Sequence, residues 1–349
     1  MPIQSITLKN YRSYKEASFE FDLGITIIIG PNACGKTNLL EAVYMLAQGS
    51  SFRVSDKDVV KHSMQWSRIE SVFSGNERVL KLESGIPKTK KTFVINGNNK
   101  ARLGFDDILP VVLFEPDDIR LVSGSPERRR SYLNDLLTQT VPLYKKTLLS
   151  YNRALKQRNT LLKKGATKNT LFAWNVIMAR SASEIVKWRL QAIEEINKNI
   201  TKVYCDIAGK KHHIRVTYSG IVEGDYMSYM LKKLEINTEL DKARGYTGFG
   251  PHRDDLLIEI DDRLANLTAS RGETRTITLA LKVIEMKMIE ASRGIQPILL
   301  LDDVFSELDG TRRKKLTSFL SGHQAIITTT DADVVGKNFI QTAQIVSLG

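Results

Sequence analysis

The residues with the clearest chemistry are eight consecutive positions near the start of the chain. They read Gly30-Pro31-Asn32-Ala33-Cys34-Gly35-Lys36-Thr37, two glycines separated by four residues and followed by a lysine and a threonine. Such a loop surrounds phosphate with backbone N–H groups at the positive end of the next helix. Lys36 would then reach the β- and γ-phosphates, and the Thr37 hydroxyl would ligate Mg²⁺. The spacing therefore predicts a site for ATP and Mg²⁺ made by all eight residues.

A pair of carboxylates late in the chain could complete that site. The apolar run Ile298–Leu301 ends in Asp302 and Asp303. A buried strand can place the first carboxylate against Mg²⁺ and the second beside the water that attacks the γ-phosphate. Two aspartates after a strand are by themselves an ordinary turn, and the phosphate loop is what gives them meaning. We expect Lys36, Asp302 and Asp303 to be catalytic, with Thr37 and Asp302 as the metal ligands.

The segment Ser270-Arg271-Gly272-Glu273 allows two compatible interpretations. Ser270 and Glu273 have the spacing of a capping box at a helix start. A helix N-terminus whose glycine permits close approach can also receive a γ-phosphate. Its place about thirty residues before the aspartate pair favours a role beyond capping.

These segments need an α/β scaffold to position them. An apolar strand, Ile25–Ile29, precedes the phosphate loop, and helical spacing follows it from Leu39 to Ala47. After about residue 115 two long amphipathic stripes, joined at Gly165, predict an antiparallel helical hairpin. Strands return from Ile214 onward. We therefore predict an ATPase-like head from residues 1–115 and 210–349, split by a basic helical domain at 116–209.

The charge of the chain is concentrated in that helical segment. The 349 residues carry 51 Lys and Arg against 39 Asp and Glu, a formal charge of +12, and 42% of them are hydrophobic. This composition excludes disorder and a membrane protein as descriptions of the whole. Residues 120–200 hold 16 basic and 5 acidic side chains, a net +11, so the remainder is nearly neutral. The segment could bind a polyanion such as DNA, or it could be merely a solvated face.

The two cysteines and the lack of a recognisable targeting pattern favour a reducing compartment. Cys34 and Cys205 cannot build a disulfide framework and lack metal-ligand spacing. The N-terminus has no secretory pattern, and the apolar runs are too short to span a membrane. We expect a soluble cytoplasmic protein with no membrane partner.

Taken in order, the motifs resemble the RecF family of bacterial recombination mediators, whose ATPase heads are similar to those of ABC and SMC proteins. The resemblance covers nearly the whole chain. Its most specific parts are Gly250-Pro251-His252-Arg253-Asp254-Asp255 and Asp302-Asp303-Val304-Phe305-Ser306-Glu307-Leu308-Asp309. Further matches are Leu8–Arg12, Gly30–Ala42, Phe114–Asp118, Gly124–Arg130, Thr247–Phe249 and Ser270–Glu273.

The resemblance implies an ABC/SMC-like P-loop ATPase head with an inserted α-helical domain, and an ATP-dependent homodimer with two composite sites. Ser270, Gly272 and Glu273 of one subunit would contact the γ-phosphate held by the other. It also implies binding to duplex DNA and to single-strand/duplex junctions, and work with RecR and RecO in loading RecA at gaps. Hydrolysis would be weak, DNA-stimulated, and used as a switch.

Two features of the sequence depart from the patterns of related proteins. The family commonly has Gln at the position of Glu273, and Ile326-Ile327-Thr328-Thr329-Thr330 offers threonine where ABC transporters place a histidine after the last core strand. His323, three residues before Ile326, is interpreted as structural.

Two alternative functions remain open. The protein could be an ATP-gated DNA-binding module with negligible hydrolysis, or an ABC-type motor of another system.

Overall fold

The computed structural model describes residues 2–85, 89–220, 224–330 and 343–348. Its strands are β1 Ile3–Tyr11, β2 Tyr14–Glu20, β3 Ile25–Ile29, β4 Trp66–Phe73, β5 Asn76–Glu83, β6 Lys90–Ile95, β7 Asn98–Lys100, β8 Val111–Phe114, β9 Ile214–Tyr218, β10 Leu256–Ile260, β11 Arg263–Leu264, β12 Ile298–Asp302, β13 Ala325–Thr329 and β14 Ala343–Ser347. Its α-helices are α1 Lys36–Gln48, α2 Asp56–Val59, α3 Arg120–Ser123, α4 Pro126–Thr140, α5 Tyr144–Lys163, α6 Lys168–Ala208, α7 Tyr226–Ile236, α8 Thr238–Arg244, α9 Ala265–Thr268, α10 Arg271–Arg293 and α11 Gly310–Leu320. Short 3-10 turns lie at Pro116–Ile119 and Val304–Glu307.

The chain packs as two compact units. One contains Met1–Asp118 and Glu285–Gly349, and the other contains Ile119–Ile284. The predicted boundary near residue 115 is close to the first division, but the second division lies near 284 and not at 210. Residues 210–284 group with the helices because β9 packs on α6 and α7 packs on α6. Packing defines these units, so the functional assignment of 210–284 to the ATPase head stays a prediction.

The first unit contains two sheets with a helix between them. One sheet is antiparallel in the order β2-β1-β4-β5-β6-β7, and the other is parallel in the order β14-β3-β13-β12-β8. Leu39 and Leu40 of α1 share a buried core with Ile6 of the first sheet and with Ile28 and Leu300 of the second. Burial of these apolar side chains is the main force that holds the layers together.

Strand order in the parallel sheet decides where the polar segments meet. β13 lies between β3 and β12, with Ile327 beside Ile27 on one side and beside Leu301 on the other. The carboxyl ends of parallel strands face one edge of a sheet, where ligands bind in such folds. The residues that follow β3, β12 and β13 therefore gather at one edge.

The second unit is mostly helical. α5 and α6 pack against each other across a short connection in which Gly165 has a φ of 68°, as expected for the predicted hairpin. Pro142 lies just before α5, so it separates α4 from α5. A small antiparallel sheet in the order β11-β10-β9 packs on α6, while α7 and α8 have no counterpart in the sequence-based assignment. No helix within the described ranges combines the length and the apolar character needed to cross a membrane.

Candidate functional site

The loop at residues 30–35 joins β3 directly to α1, whose first two residues are Lys36 and Thr37. Gly35 has a φ of 110°, in the region that favours glycine, and a Cβ added there would lie 2.8 Å from the Tyr14 hydroxyl oxygen. A Cβ at Gly30 would lie 2.4 Å from the Leu348 carbonyl oxygen. Gly30 is thus required by close approach of the backbone, and Gly35 by its positive φ. The tight turn leaves the N-terminal N–H groups of α1 directed at the loop, as an anion site needs.

Lys36 folds back into this loop. Its ammonium donates hydrogen bonds to the carbonyl oxygens of Gly30 and Pro31, each at 2.7 Å. The residue is only 8% exposed, so its positive charge is held inside the loop and not in solvent. Carbonyl partners exchange readily for phosphate oxygens, which attract an ammonium more strongly because they are charged.

Thr37 and Asp302 are brought into direct contact from opposite ends of the sequence. The Thr37 hydroxyl lies 2.9 Å from each carboxylate oxygen of Asp302 and donates to that group. The hydroxyl of Thr328, at the end of β13, also donates to Asp302 Oδ1, at 2.8 Å. A hydroxyl and a carboxylate in this arrangement are the hard oxygen ligands that Mg²⁺ prefers.

Asp303 adopts an unusual conformation next to this pair. Its φ is 49°, a left-handed backbone that aspartate tolerates better than most residues. Its N–H donates to the carbonyl oxygen and to the hydroxyl of Thr328, at 3.2 and 3.1 Å. Its Oδ1 is buried without a hydrogen-bond partner among the described residues. Burial raises the pKa of Asp303, and the nearby Asp302 carboxylate adds to that rise.

These groups line one cavity of about 390 Å³. Asn32, Lys36, Thr37, Asp302 and Asp303 all contribute to its wall. The cavity therefore combines a positive charge for phosphate, oxygen ligands for a divalent cation, and a second carboxylate, that of Asp303. The structure brings together the phosphate loop and the aspartate pair, while their catalytic roles stay a prediction.

Ser270 and Glu273 form the expected capping box at the start of α10. The Ser270 N–H donates to Glu273 Oε2 at 2.7 Å, and the Glu273 N–H donates to Ser270 Oγ at 3.3 Å. The Ser270 N–H bond lowers the pKa of Glu273. Gly272 is part-buried and lies between them. These residues belong to the second unit, and their contact with a γ-phosphate held by another subunit stays a prediction.

Three of the sixteen basic residues at 120–200 are buried within the second unit. Arg129 makes a bidentate ion pair with Asp255 at 2.7 and 2.8 Å. Arg158 donates to Asp241 at 2.7 Å, and both side chains are almost completely buried. Arg189 donates to the carbonyl oxygen of Pro251 at 2.7 Å. These arginines hold the fold together, so the charge available to a partner is smaller than the sequence count.

The remaining basic side chains are more accessible. Ten are exposed: Arg120, Lys146, Arg153, Lys156, Lys163, Lys164, Lys168, Arg180, Lys187 and Lys198. Lys163, Lys164 and Lys168 surround the connection between α5 and α6. The turn of the hairpin therefore carries the densest group of exposed positive charge in this segment.

His252 and Arg253 now have structural contacts. His252 Nε2 lies 3.0 Å from the Thr247 carbonyl oxygen, and its Nδ1 lies 2.6 Å from the Tyr151 hydroxyl. Burial lowers the pKa of His252 to about 4. The Arg253 guanidinium lies 4.7 Å from the centre of the Tyr246 ring. His323 is buried, with its Nε2 3.7 Å from Glu290, in agreement with a structural position.

Thr328 is a site residue that the motifs did not reveal. In the sequence it is only one of three threonines in the region where ABC transporters have a histidine. Its contact with Asp302 follows from the pairing of β12 with β13, which aligns Asp302 with Thr328. A hydroxyl at the end of an apolar strand was the available signal, and by itself that is a common feature.

The fold and the site together define an ABC/SMC-like ATPase head. The head of an SMC protein solved with the C-winged helix domain of ScpA has the same fold, with a TM-score of 0.55 at 17% identity, over 99% of this chain and 94% of that one. Residues 2–346 match the family model described as RecF/RecN/SMC N terminal domain. A protein of Halalkalibacterium halodurans described as DNA replication and repair protein RecF is 35% identical over 99% of this chain and 97% of its own length. The solved recombination mediator RecF with ATP, of the RecFOR pathway, has a TM-score of 0.84 at 31% identity, covering 95% of this chain and 92% of that one. The chain belongs to the RecF family.

Proposed function

We propose that this protein is an ATP-dependent DNA-binding recombination mediator that acts in DNA repair and replication. It binds MgATP at the phosphate loop, forms a homodimer, and closes on duplex DNA or on a single-strand/duplex junction. The observation that carries the proposal is the contact of Thr37 with Asp302, because it joins two motifs 265 positions apart into one nucleotide site. A protein with this function would act in the cytoplasm.

Binding of the nucleotide rests on the residues at the carboxyl ends of β3 and β12. The Lys36 ammonium exchanges its carbonyl partners for phosphate oxygens, and the N–H groups at the start of α1 receive the β-phosphate. Thr37 and Asp302 would hold Mg²⁺, which would neutralise phosphate charge. The solved RecF relative with ATP supports the same ligand for this chain.

Asp303 would act as the general base in ATP hydrolysis. Its carboxylate lines the cavity that Lys36 and Thr37 also line, and its raised pKa brings it closer to the working pH of a base that takes a proton from water. We expect weak hydrolysis that DNA stimulates.

Dimerisation would complete the site in trans. Ser270, Gly272 and Glu273 begin α10, where helix N–H groups and a small residue can receive the γ-phosphate of a second subunit. Glu273 carries a negative charge where the family commonly has glutamine, so the serine hydroxyl and the backbone N–H groups must supply the attraction. ATP would thus link two chains, and its hydrolysis would release them.

DNA binding rests on the exposed basic residues of the second unit. Ten accessible cations on residues 120–200 can neutralise several phosphates without reading base sequence. The RecFOR pathway named for the solved relative supports RecR and RecO as partners. Loading of RecA at gaps is what the resemblance to the RecF family implies.

The direct test measures molar mass and phosphate release on the full chain. With MgATP the wild type should form a dimer, detected by light scattering, and should release phosphate faster when DNA is added. Lys36→Ala should stay monomeric, whereas Asp303→Asn should dimerise and release phosphate at least about tenfold more slowly. Lys57→Ala, an exposed lysine on α2, serves as the matched control.

Two outcomes would overturn parts of the proposal. If Lys36→Ala dimerises with ATP as the wild type does, the composite nucleotide site is wrong. If the wild type dimerises and binds DNA with ATP but releases no phosphate, the protein is an ATP-gated binding module without hydrolysis.

A further inference from the structure

We propose that Thr328 is a positioning residue for the Mg²⁺ ligand Asp302 and for the adjacent Asp303. This inference rests on the proposed function, because it concerns how the carboxylates of the same site are held. It adds a third strand, β13, to a site that the motifs assign to β3 and β12.

The contacts of one hydroxyl carry the proposal. Thr328 Oγ1 donates to Asp302 Oδ1 at 2.8 Å and accepts the Asp303 N–H at 3.1 Å. The Leu301 carbonyl oxygen, at 3.4 Å, is a longer alternative acceptor for its single proton. Thr328 is 0% exposed, so these bonds do not compete with water. One side chain thus fixes both carboxylate residues.

The other hydroxyl that donates to Asp302, that of Thr37, would change partners when Mg²⁺ binds. Thr37 also donates to this carboxylate, but Thr37 is itself a predicted metal ligand that must turn its oxygen toward Mg²⁺. Thr328 is fully buried and has no exposed surface with which to reach a ligand in the cavity. It is therefore the donor that can stay on Asp302 when Mg²⁺ is bound. Outer partners of this kind keep a ligating carboxylate in place.

The same hydroxyl also stabilises the strained turn after β12. Asp303 has a φ of 49°, and its N–H is shared between the hydroxyl and the carbonyl oxygen of Thr328. A residue other than glycine keeps a left-handed backbone conformation only where the surrounding structure stabilises it. Loss of the hydroxyl removes one of these two acceptors and leaves Asp303 freer to move.

The experiment compares Thr328→Val with Thr328→Ser in the full chain. A fluorescent ATP analogue reports binding while MgCl₂ is titrated. For Thr328→Val the Mg²⁺ concentration at half-maximal binding should rise about tenfold, while binding in EDTA changes by less than about twofold. At saturating Mg²⁺ we expect kcat to fall about tenfold with KM changed less than about twofold. Thr328→Ser keeps the hydroxyl and should restore both values to within about twofold.

Thr26→Val is the matched control. Thr26 is also 0% exposed in the parallel sheet, but its hydroxyl contacts Gln344 near the other end of β3. This variant should leave the Mg²⁺ titration unchanged.

Three results would overturn the inference: a wild-type Mg²⁺ titration for Thr328→Val, a serine variant that fails to restore it, or an equal shift for Thr26→Val. The proposed function survives all three. It fails together with this inference only if the wild type shows no Mg²⁺-dependent binding of ATP.

Discussion

At the scale of single residues, the charge of a side chain and its availability are separate properties. Arg129, Arg158 and Arg189 count toward the basic excess of the sequence, yet each is at most 6% exposed and is bonded to groups inside its own unit. Burial of a guanidinium is tolerated only when its donors are satisfied. These three arginines are therefore part of the scaffold, and the partner-binding charge lies elsewhere.

Removal of Arg158 should destabilise the second unit strongly. Arg158→Ala leaves the Asp241 carboxylate, 2% exposed, without its ionic partner. Removing one member of a buried ion pair leaves the other charge unpaired and typically lowers the free energy of unfolding by about 3–5 kcal/mol. Urea unfolding should report a loss of this size, against less than about 0.5 kcal/mol for Lys156→Ala on the exposed face of α5. A loss below about 1 kcal/mol for Arg158→Ala would contradict this account.

His252 should make the second unit sensitive to acid. The neutral His252 imidazole is hydrogen-bonded at Nδ1 by the Tyr151 hydroxyl and at Nε2 by the Thr247 carbonyl oxygen. Burial lowers the pKa of His252 to about 4. An unfolded histidine has a pKa of about 6.5, so the unfolded state binds more protons between these values. Stability is therefore lost as the pH falls through this window, by about 2 kcal/mol between about pH 8 and about pH 5.

The measurement is urea unfolding of the wild type and His252→Gln at those two pH values. The neutral amide cannot titrate, so the variant should be less stable at the higher pH but should lose about 2 kcal/mol less on acidification. Equal acid sensitivity of the two proteins would argue that His252 is not held neutral.

At the scale of elements, the sequence predicts those strands, loops and helices that have a local residue pattern. The apolar strand β3, the glycine loop and the helical spacing of α1 are contiguous, and each was predicted close to its observed bounds. The contact of Asp302 with Thr328 depends on which strand pairs with which, and no local pattern in either segment specifies that partner. Burial of Arg158 likewise depends on Asp241, 83 positions away. Motifs thus predict the long-range meeting of Thr37 with Asp302, whereas long-range contacts of residues outside motifs do not follow from a local pattern.

The start of α10 offers a test that separates capping from ligand binding. Ser270→Ala removes the side-chain acceptor of the Glu273 N–H and should lower the free energy of unfolding by about 1 kcal/mol. Ser270→Asn keeps a capping oxygen and should recover most of that loss. Urea unfolding measures both variants.

The same two variants test the role in trans. If the Ser270 hydroxyl also contacts the γ-phosphate of a second subunit, ATP-dependent dimerisation should be impaired in Ser270→Asn despite its recovered stability. Normal dimerisation of Ser270→Asn would leave Ser270 with the capping role alone.

At the scale of the whole molecule, nucleotide chemistry and positive charge belong to different units of the chain. The first unit contains the phosphate loop and the aspartate pair, and the second contains residues 120–200 with their excess of basic side chains. The net charge of +12 is therefore a property of one region, and it should govern one activity. Changes to that charge should alter DNA binding without altering nucleotide binding.

A salt titration of DNA binding tests this division. Each phosphate contact contributes about 0.9 to the slope of log K against log salt. Replacing Lys163, Lys164 and Lys168 by alanine at the turn of the hairpin should weaken binding and reduce the slope by about 1 to 3, while ATP binding is unchanged. The control replaces Lys57, Lys81 and Lys315, exposed lysines of the first unit, and removes the same net charge. If charge acts through contact, the control keeps the wild-type slope. Equal slopes for both triple variants would mean that the hairpin turn does not touch DNA.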